Sequence, residues 1–92
     1  MIFNFKHKGL EKFFNTGHAA GVHTIHINKL RAVLARLESI EAPEDMNLPG
    51  LQFHRLKGDR HDSYAISVNK NWRITFKFKN NEVMDVDYED YH

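Results

Sequence analysis

The sequence of 92 residues contains no cysteine and only two prolines, and it has no apolar run long enough to cross a membrane. The absence of cysteine excludes disulfide bonds, thiolate zinc sites and cysteine nucleophiles. The first residues, MIFNFKHKG, show no signal-peptide pattern, so we expect a cytoplasmic protein with no membrane partner. No repeat or linker divides the chain, and its length predicts a single domain spanning residues 1–92.

The composition provides enough apolar material for a small core. Hydrophobic residues make up 41% of the chain and aromatic residues 12%, which excludes a disordered tail. The net charge of +1 conceals an uneven distribution: residues 1–37 carry six bases and one acid, and residues 50–79 carry seven bases and two acids. Residues 38–49 and 80–92 hold four and five acids and no base. Most such charge blocks are only solvated surface. The residue types inside the basic blocks therefore decide whether these blocks also indicate a functional site.

The first half of the chain is predicted to form a short strand and two helices. Residues 1–6 alternate in the manner of a strand, and Leu10 and Phe13 then follow at helical spacing up to Gly17, a typical helix end. A longer helix is predicted over residues 24–40. Its apolar stripe consists of Ile27, Leu30, Val33, Leu34, Leu37 and Ile40.

After Gly50 the apolar period changes from 3.6 to 2, which predicts four strands. The clearest strand has an apolar face of Trp72, Ile74, Phe76 and Phe78, and a basic opposite face of Arg73, Thr75, Lys77 and Lys79. The final strand is predicted to bury Met84, Val86 and Tyr88. The order β-α-α-β-β-β-β predicts an α+β fold, in which a helical hairpin covers one face of a small, mostly antiparallel sheet. The uncovered face then carries a row of bases.

Seven histidines raise the question of a metal site. His23 and His26 are three residues apart, and His18 is near them in the sequence. No third ligand occurs at suitable spacing, and there is no HExxH motif. We therefore interpret these three as surface histidines and expect neither a metal nor another cofactor.

The segment HRLKGDR at residues 54–60 has a composition suited to phosphate chemistry. It combines His54, whose imidazole can accept or donate a proton, with cations that include Lys57 and Arg60, and Arg73 lies on the basic side of a neighbouring strand. RNA cleavage requires a base for the 2′-hydroxyl, cations for the phosphorane charge and an acid for the leaving oxygen. The ending YEDYH adds a second histidine, a phenol and carboxylates.

A purely structural interpretation of the same residues stays open. His54 can be an ordinary residue on the face of a strand, and the five acids of residues 80–92 can pair with Lys77, Lys79 and Arg73 across strands.

Five sequence strings resemble the HigB, or plasmid-killer, branch of the RelE/ParE toxin superfamily. They are HKGLEKFF, PEDMNLPG, HRLKGDR, ISVNKNWRITFKF and YEDYH, and they occur in the family's order over essentially the whole chain. The resemblance implies a RelE-like fold, in which two N-terminal helices pack on a small sheet. One segment departs from the pattern: residues 62–65 read DSYA where a sequence closer to GYWS is expected, which affects the loop geometry and the codon preference.

The resemblance implies a ribosome-dependent mRNA endonuclease that is the toxin of a type II toxin–antitoxin pair. Its partners would be a HigA-like helix-turn-helix antitoxin, the 70S ribosome and mRNA, and it would meet operator DNA only through the antitoxin. The alternatives are a ParE-like gyrase inhibitor and a non-catalytic RNA-binding module on the same fold. The family's catalytic positions correspond to His54, Asp90, Tyr91 and His92, and the phosphate contacts to Lys57 and Arg73, to which we add Arg60.

The implied roles within this set differ. His92 is favoured as base or proton shuttle, Tyr91 as a positioning group and Asp90 as the residue that orients the histidine. Lys57 and Arg73 would stabilise charge. His54 is either the acid or a substrate contact, and the sequence does not choose between these roles.

Overall fold

The computed structural model describes residues 1–91, and its first regular element is the first of the two predicted helices. Helix α1 (Lys8–Thr16) starts where His7 Nδ1 accepts a hydrogen bond from the Leu10 amide, and it ends at Gly17. Gly17 has a φ of 80°, a left-handed conformation that glycine adopts without steric cost. Its amide donates to the Phe13 carbonyl oxygen at 2.8 Å.

The second predicted helix is also present, but its first turn is a 3₁₀ helix rather than an α-helix. Thr24–His26 form a turn of 3₁₀ helix, and helix α2 (Ile27–Ser39) follows directly. The predicted apolar stripe is confirmed, because four of its members are buried within the helix and Ile40 is buried just after it. The four are Leu30, Val33, Leu34 and Leu37.

The sheet contains four strands in sequential order, and each pairs antiparallel with the next. They are β1 (His54–Arg55), β2 (Ser63–Ser67), β3 (Trp72–Lys79) and β4 (Glu82–Asp90). The strand predicted over residues 51–56 is shorter than expected because Gln52 has a φ of 50°, and the Leu51 amide bonds back to the Leu48 carbonyl oxygen. The turn between β3 and β4 is the predicted one, with positive φ at both Asn80 and Asn81.

The strand predicted over residues 1–6 is reduced to two isolated parallel bridges on β4, Ile2 with Val83 and Phe5 with Val86. Between them, the Asn4 carbonyl oxygen accepts from the Val86 amide at 3.2 Å, and the Asn4 side chain bonds to Asp85. Its Oδ1 accepts from the Asp85 amide at 2.9 Å, and its Nδ2 donates to the Asp85 carboxylate at 2.8 Å. This side-chain pairing interrupts the ladder, so a regular strand does not form.

Asp85 is also the site of an irregularity within β4. It has a φ of 52°, and the β3–β4 register shifts at this point, as in a β-bulge. The extra residue changes which side chains face the core. Val83, Val86 and Tyr88 are buried, whereas Met84 is only half-buried, so the prediction that Met84 belongs to the core is wrong.

Both helices pack on the face of the sheet that carries Ile66, Ile74 and Phe76. The opposite face, which we call the open face, carries Arg73, Thr75, Lys77 and Glu89 in the strand register. The fold is therefore α+β with the helical hairpin on one side, as predicted. No helix in the described part of the chain combines the length and apolarity needed to cross a membrane.

Helix α1 crosses the segment before α2 at a contact between two glycines. A Cβ atom placed on Gly9 would lie 2.8 Å from the Gly21 carbonyl oxygen and 2.9 Å from the Gly21 Cα. Both contacts are with backbone, which cannot move away as a side chain can.

This contact gives a stability prediction. Alanine is the better helix former by about 1 kcal/mol, yet Gly9→Ala should destabilise the protein by about 1–3 kcal/mol, because the added methyl group overlaps the Gly21 backbone. Denaturant unfolding measures the difference. Lys12→Ala, at an exposed position of the same helix, is the control and should change stability by less than about 0.5 kcal/mol. A more stable Gly9→Ala variant would contradict the packing argument.

Candidate active site

Two arginines from distant parts of the chain share one carboxylate on the open face. Arg73 Nε donates to Glu89 Oε1 at 2.9 Å, and the two residues face each other in the β3–β4 register. Arg60 reaches the same oxygen from the loop before β2, with Nη1 at 3.0 Å. Arg60 Nη2 also lies 3.4 Å from the hydroxyl of Thr75, a buried residue. Two guanidinium groups are therefore held around a single negative charge.

Tyr91 lies against one of these arginines, Arg73. Arg73 Cζ is 4.7 Å from the centroid of the Tyr91 ring, a cation–π distance. The Tyr91 amide donates to the Asn71 carbonyl oxygen at 2.9 Å, so the backbone continues alongside β3 after β4 ends. We call Arg60, Arg73, Glu89 and Tyr91 the arginine cluster. It unites three residues that the sequence predicted for the site with Glu89, which had no predicted role in the chemistry.

His54 belongs to the same face two strands away. Its Cα faces Ala65, which in turn faces Thr75 on β3. Neighbouring strands are about 4.8 Å apart, so the backbones of His54 and Thr75 are about 10 Å apart. Ala65, which lies between them on the sheet, is buried.

The His54 ring has a defined orientation. Its Nδ1 lies 3.0 Å from the Gln52 carbonyl oxygen, which can only accept a hydrogen bond, so Nδ1 carries a proton. In the neutral ring the unprotonated nitrogen is then Nε2. His54 is exposed, so this lone pair is available to a ligand.

Lys57 is exposed and lies immediately before the 3₁₀ turn Gly58–Arg60. Gly58 has a φ of 69°, which favours glycine at this position. The turn delivers Arg60 onto the sheet near Thr75 and leaves Lys57 three residues earlier in the same loop. The segment 54–60 thus carries His54 at one end and, at the other, Arg60, which is bonded to Glu89.

The predicted C-terminal site residues divide between the two faces of β4. Tyr91 contacts Arg73 on the open face, whereas the Asp90 Cα faces Trp72, whose side of β3 is the one toward the helices. Asp90 is exposed. His92, the predicted base, lies outside the described residues.

The rest of the open face is less basic than the sequence pattern suggests, because acids pair with its cations. Lys77 Nζ lies 3.5 Å from Asp62 and 3.6 Å from Asp85. Desolvation raises the pKa of the Asp62 carboxyl, but the Lys77 ammonium and hydrogen bonds outweigh it, so that pKa lies below its usual value. Arg73 with Glu89 and Lys77 with Asp85 confirm that terminal acids pair across strands. A polar cavity of about 140 Å³ adjoins these pairs, between Arg60 and Lys77.

The structure corrects the interpretation of one histidine. His18 and His23 are exposed as predicted, but His26 is only 4% exposed. Its Nδ1 lies 2.5 Å from the Tyr88 hydroxyl and its Nε2 lies 2.7 Å from Asn69 Nδ2. These partners are 62 and 43 residues away in the sequence, so local spacing carried no sign of the burial. Among residues 1–91, no three His, Asp or Glu side chains form a group that could hold a metal ion.

The fold is similar to that of a known toxin. The crystal structure of a copper-bound mutant toxin from Helicobacter pylori aligns with a TM-score of 0.57 over 99% of this chain and 94% of that chain, at 19% sequence identity. At this level of identity the similarity concerns the fold alone. The class that this similarity defines is a fold class, a small α+β domain with two helices on one face of a four-stranded antiparallel sheet.

Sequence comparison identifies the family. A family model for HigB-like toxins, described as the RelE-like toxin of the type II toxin–antitoxin system HigB, matches residues 3–92. The endoribonuclease HigB of Proteus vulgaris is 38% identical over 92 residues, which is 100% of both chains. This chain therefore belongs to the HigB-like family of RelE-like toxins. Membership of a type II system implies an antitoxin as its partner.

Proposed function

We propose that this protein is a ribosome-dependent endoribonuclease that stops translation by cutting mRNA in the ribosomal A site. The observation that carries the proposal is the arginine cluster: Arg73 and Tyr91, two of the residues implied by the family motif, lie in contact beside Arg60. The full-length similarity to a relative named endoribonuclease supports the same reaction.

The cluster has the charge and geometry to bind a phosphodiester. Arg60 and Arg73 direct N–H groups at one carboxylate oxygen of Glu89, and a phosphate oxygen can replace that oxygen as acceptor. Fixed cations are most effective where negative charge develops during the reaction. The phosphorane formed during strand cleavage places that charge on its non-bridging oxygens, within reach of such donors.

In the proposed reaction, His92 removes the proton from the 2′-hydroxyl of the nucleotide at the cut. The 2′-oxygen attacks the adjacent phosphorus, and Arg73 and Lys57 stabilise the phosphorane charge. The bond to the 5′-oxygen then breaks, and that oxygen takes a proton from an acid, for which His54 is the available group. The products are a 2′,3′-cyclic phosphate and a 5′-hydroxyl. Tyr91 positions the substrate, and Asp90 orients His92.

The proposed partners follow from this activity. The 70S ribosome presents the mRNA, and the basic blocks of residues 1–37 and 50–79 suit contact with ribosomal RNA phosphates. A HigA-like helix-turn-helix antitoxin would neutralise the toxin, and operator DNA would be bound through the antitoxin. The protein would act in the cytoplasm, where the ribosomes are.

Cell-free translation with the purified protein tests the proposal. We expect mRNA to be cut only while ribosomes translate it, and the downstream fragments to carry a 5′-hydroxyl that a polynucleotide kinase can label directly. Cuts in free mRNA would contradict ribosome dependence, and 5′-phosphate ends would indicate a water nucleophile. Slowed translation without cuts indicates a binding module. Intact translation with inhibited DNA gyrase indicates a ParE-like toxin.

Glu89 gives a separate prediction about RNA binding. Glu89→Gln removes the negative charge between Arg60 and Arg73, so single-stranded RNA should bind several-fold more tightly at low salt. The salt dependence should steepen, by a slope of about 0.7 for each additional phosphate contact. Fluorescence anisotropy with a labelled RNA measures both. Glu82→Gln, at the other end of β4, is the control and should bind as the parent does. Equal affinity of the Glu89→Gln variant and the parent would contradict a phosphate site here.

A further inference from the structure

On the helix side of the sheet, the buried His26 contacts both strand β4 and the turn between β2 and β3. It belongs to the 3₁₀ turn before α2, and its ring nitrogens lie 2.5 Å from the Tyr88 hydroxyl on β4 and 2.7 Å from Asn69 Nδ2. Asn69 opens the turn between β2 and β3. His26 has no part in the proposed chemistry, and the helix-side face is not the face of the arginine cluster, so its burial with two polar partners needs another explanation.

The hydrogen bonds around Asn69 assign the proton on the His26 ring. Asn69 Oδ1 accepts from the amides of Asn71 and Trp72, both at 2.8 Å, so the amide nitrogen of Asn69 is the atom turned toward His26. That nitrogen can only donate, so His26 Nε2 must present a lone pair. The neutral ring then carries its proton on Nδ1 and donates it to the Tyr88 oxygen. Of the two neutral tautomers, only this one gives both ring nitrogens a partner of the right kind.

A second proton on His26 would disrupt this arrangement, because Nε2–H would face the N–H groups of Asn69. The titratable groups around the ring are His23, whose ring centroid is 5.4 Å away, and Tyr88, which also contacts His7. Burial and the proximity of His23 lower the pKa of His26 below its usual value. The surroundings therefore favour the neutral ring at neutral pH.

The same turn connects His26 to the candidate active site. Asn69 holds the amides of Asn71 and Trp72, and the Asn71 carbonyl oxygen accepts from the Tyr91 amide at 2.9 Å. The Tyr91 ring lies against Arg73. A continuous path of hydrogen bonds and one turn of backbone thus leads from the buried imidazole to the phenol of the arginine cluster.

We propose that His26 is a positioning residue for the cleavage reaction, in its tautomer with the proton on Nδ1. With Asn69 it fixes the turn between β2 and β3, and through the Asn71 carbonyl it sets where the Tyr91 backbone lies relative to Arg73. The kinetic consequence of this inference rests on the proposed function, whereas the hydrogen-bond path does not depend on that function. His26 itself touches no reacting atom.

Three substitutions separate the hydrogen bonds from the packing. His26→Leu fills a similar volume and has no polar atom. His26→Gln offers an amide oxygen that can accept from Asn69 and does not titrate. Asn69→Asp retains the acceptor for Asn71 and Trp72 but presents an oxygen to His26 Nε2, which favours a proton there.

The first measurement requires no activity. Imidazole ¹⁵N NMR of the parent should show His26 neutral at pH 7 with its proton on Nδ1, and Asn69→Asp should raise the His26 pKa. Hydrogen exchange of the Tyr91 amide should be at least several-fold faster in His26→Leu than in the parent, and close to the parent in His26→Gln. A proton on Nε2 in the parent, or unchanged Tyr91 exchange in a folded His26→Leu variant, would overturn the proposal.

The second measurement is single-turnover cleavage on programmed ribosomes, at a temperature well below the melting transition of every variant. We expect His26→Leu to lower kcat by about 10–100-fold with KM unchanged, because small displacements of positioned groups cost rate rather than binding. His26→Gln should recover most of kcat and show a smaller fall in rate at acidic pH than the parent. A parent that cuts nothing contradicts the proposed function but leaves the NMR result as the test of His26. If His26→Leu does not fold, the cleavage rates of His26→Gln and Asn69→Asp at neutral pH provide the test. A His26→Gln rate that does not exceed the Asn69→Asp rate would contradict the inference.

Discussion

Replacing His92 by glutamine should reduce mRNA cleavage by about 10²–10⁴-fold, the range that a general acid–base group contributes. An imidazole accepts and returns a proton near neutral pH, whereas glutamine keeps a similar size and polarity but cannot accept the proton of a 2′-hydroxyl. His92 follows directly after Tyr91, whose ring contacts Arg73, so it is adjacent in sequence to a member of the arginine cluster. The measurement is single-turnover cleavage on programmed ribosomes, with cuts mapped by primer extension.

The control for His92→Gln is the same substitution at His18, an exposed position between α1 and α2. His18→Gln should cut at the parental rate and melt within the error of the parent, because surface changes alter stability by about 0.5 kcal/mol or less. The His92→Gln variant should melt at the same temperature. Ribosome binding by His92→Gln should also match the parent. If His92→Gln binds ribosomes and cuts at the parental rate, His92 is not the base, and His54 becomes the candidate.

The sequence predicts those parts of the fold whose signal is local. The helical stripe of α2, the alternation of β3 and the paired asparagines before β4 are each visible within fewer than twenty residues, and each appears in the structure. Gly17 ends α1 because its left-handed φ suits glycine. In all four cases the physical cause lies in neighbouring residues, so a pattern along the chain is enough to reveal it.

The errors arise where a distant residue decides the local structure. Met84 leaves the core because β4 bulges at Asp85, and the partner that satisfies the Asp85 amide is Asn4, 81 residues earlier. His26 is buried because Tyr88 and Asn69 satisfy both ring nitrogens. No period or spacing near Met84 or His26 records these contacts.

The candidate site likewise combines residues that the sequence reveals with contacts between distant residues that it does not. Arg60, Arg73 and Tyr91 could be selected by residue type and by the family motif, whereas the role of Glu89 depends on two contacts from different elements. Its pairing with Arg73 follows from the antiparallel register and was among the expected cross-strand pairs. Its second contact, with Arg60, spans 29 residues and depends on the conformation of the loop that begins at Gly58. Residue types therefore identify the charges of a site more readily than the way those charges are held.

Arg73 is the residue whose loss should most directly weaken transition-state stabilisation. Its side chain is 17% exposed and fixed on two sides, by Glu89 at 2.9 Å and by the Tyr91 ring. Arg73→Met preserves much of the apolar stem but removes the charge, so we expect kcat to fall by about 10²–10³-fold, as when an oxyanion-stabilising donor is removed. Stability should change by only about 1 kcal/mol, since Glu89 keeps its ion pair with Arg60.

Two further variants distinguish charge from geometry. Arg73→Lys retains the charge but loses the planar donor set that bonds Glu89 and stacks on Tyr91, so its rate should lie between those of the parent and Arg73→Met. Lys79→Met removes an exposed cation from the other end of β3 and should leave the rate unchanged. Single-turnover rates on programmed ribosomes, with ribosome binding measured separately, give the comparison. Equal losses in Arg73→Met and Lys79→Met would show that overall basic charge is responsible. A rate that falls only in the Arg73 variants assigns the effect to the guanidinium beside Tyr91.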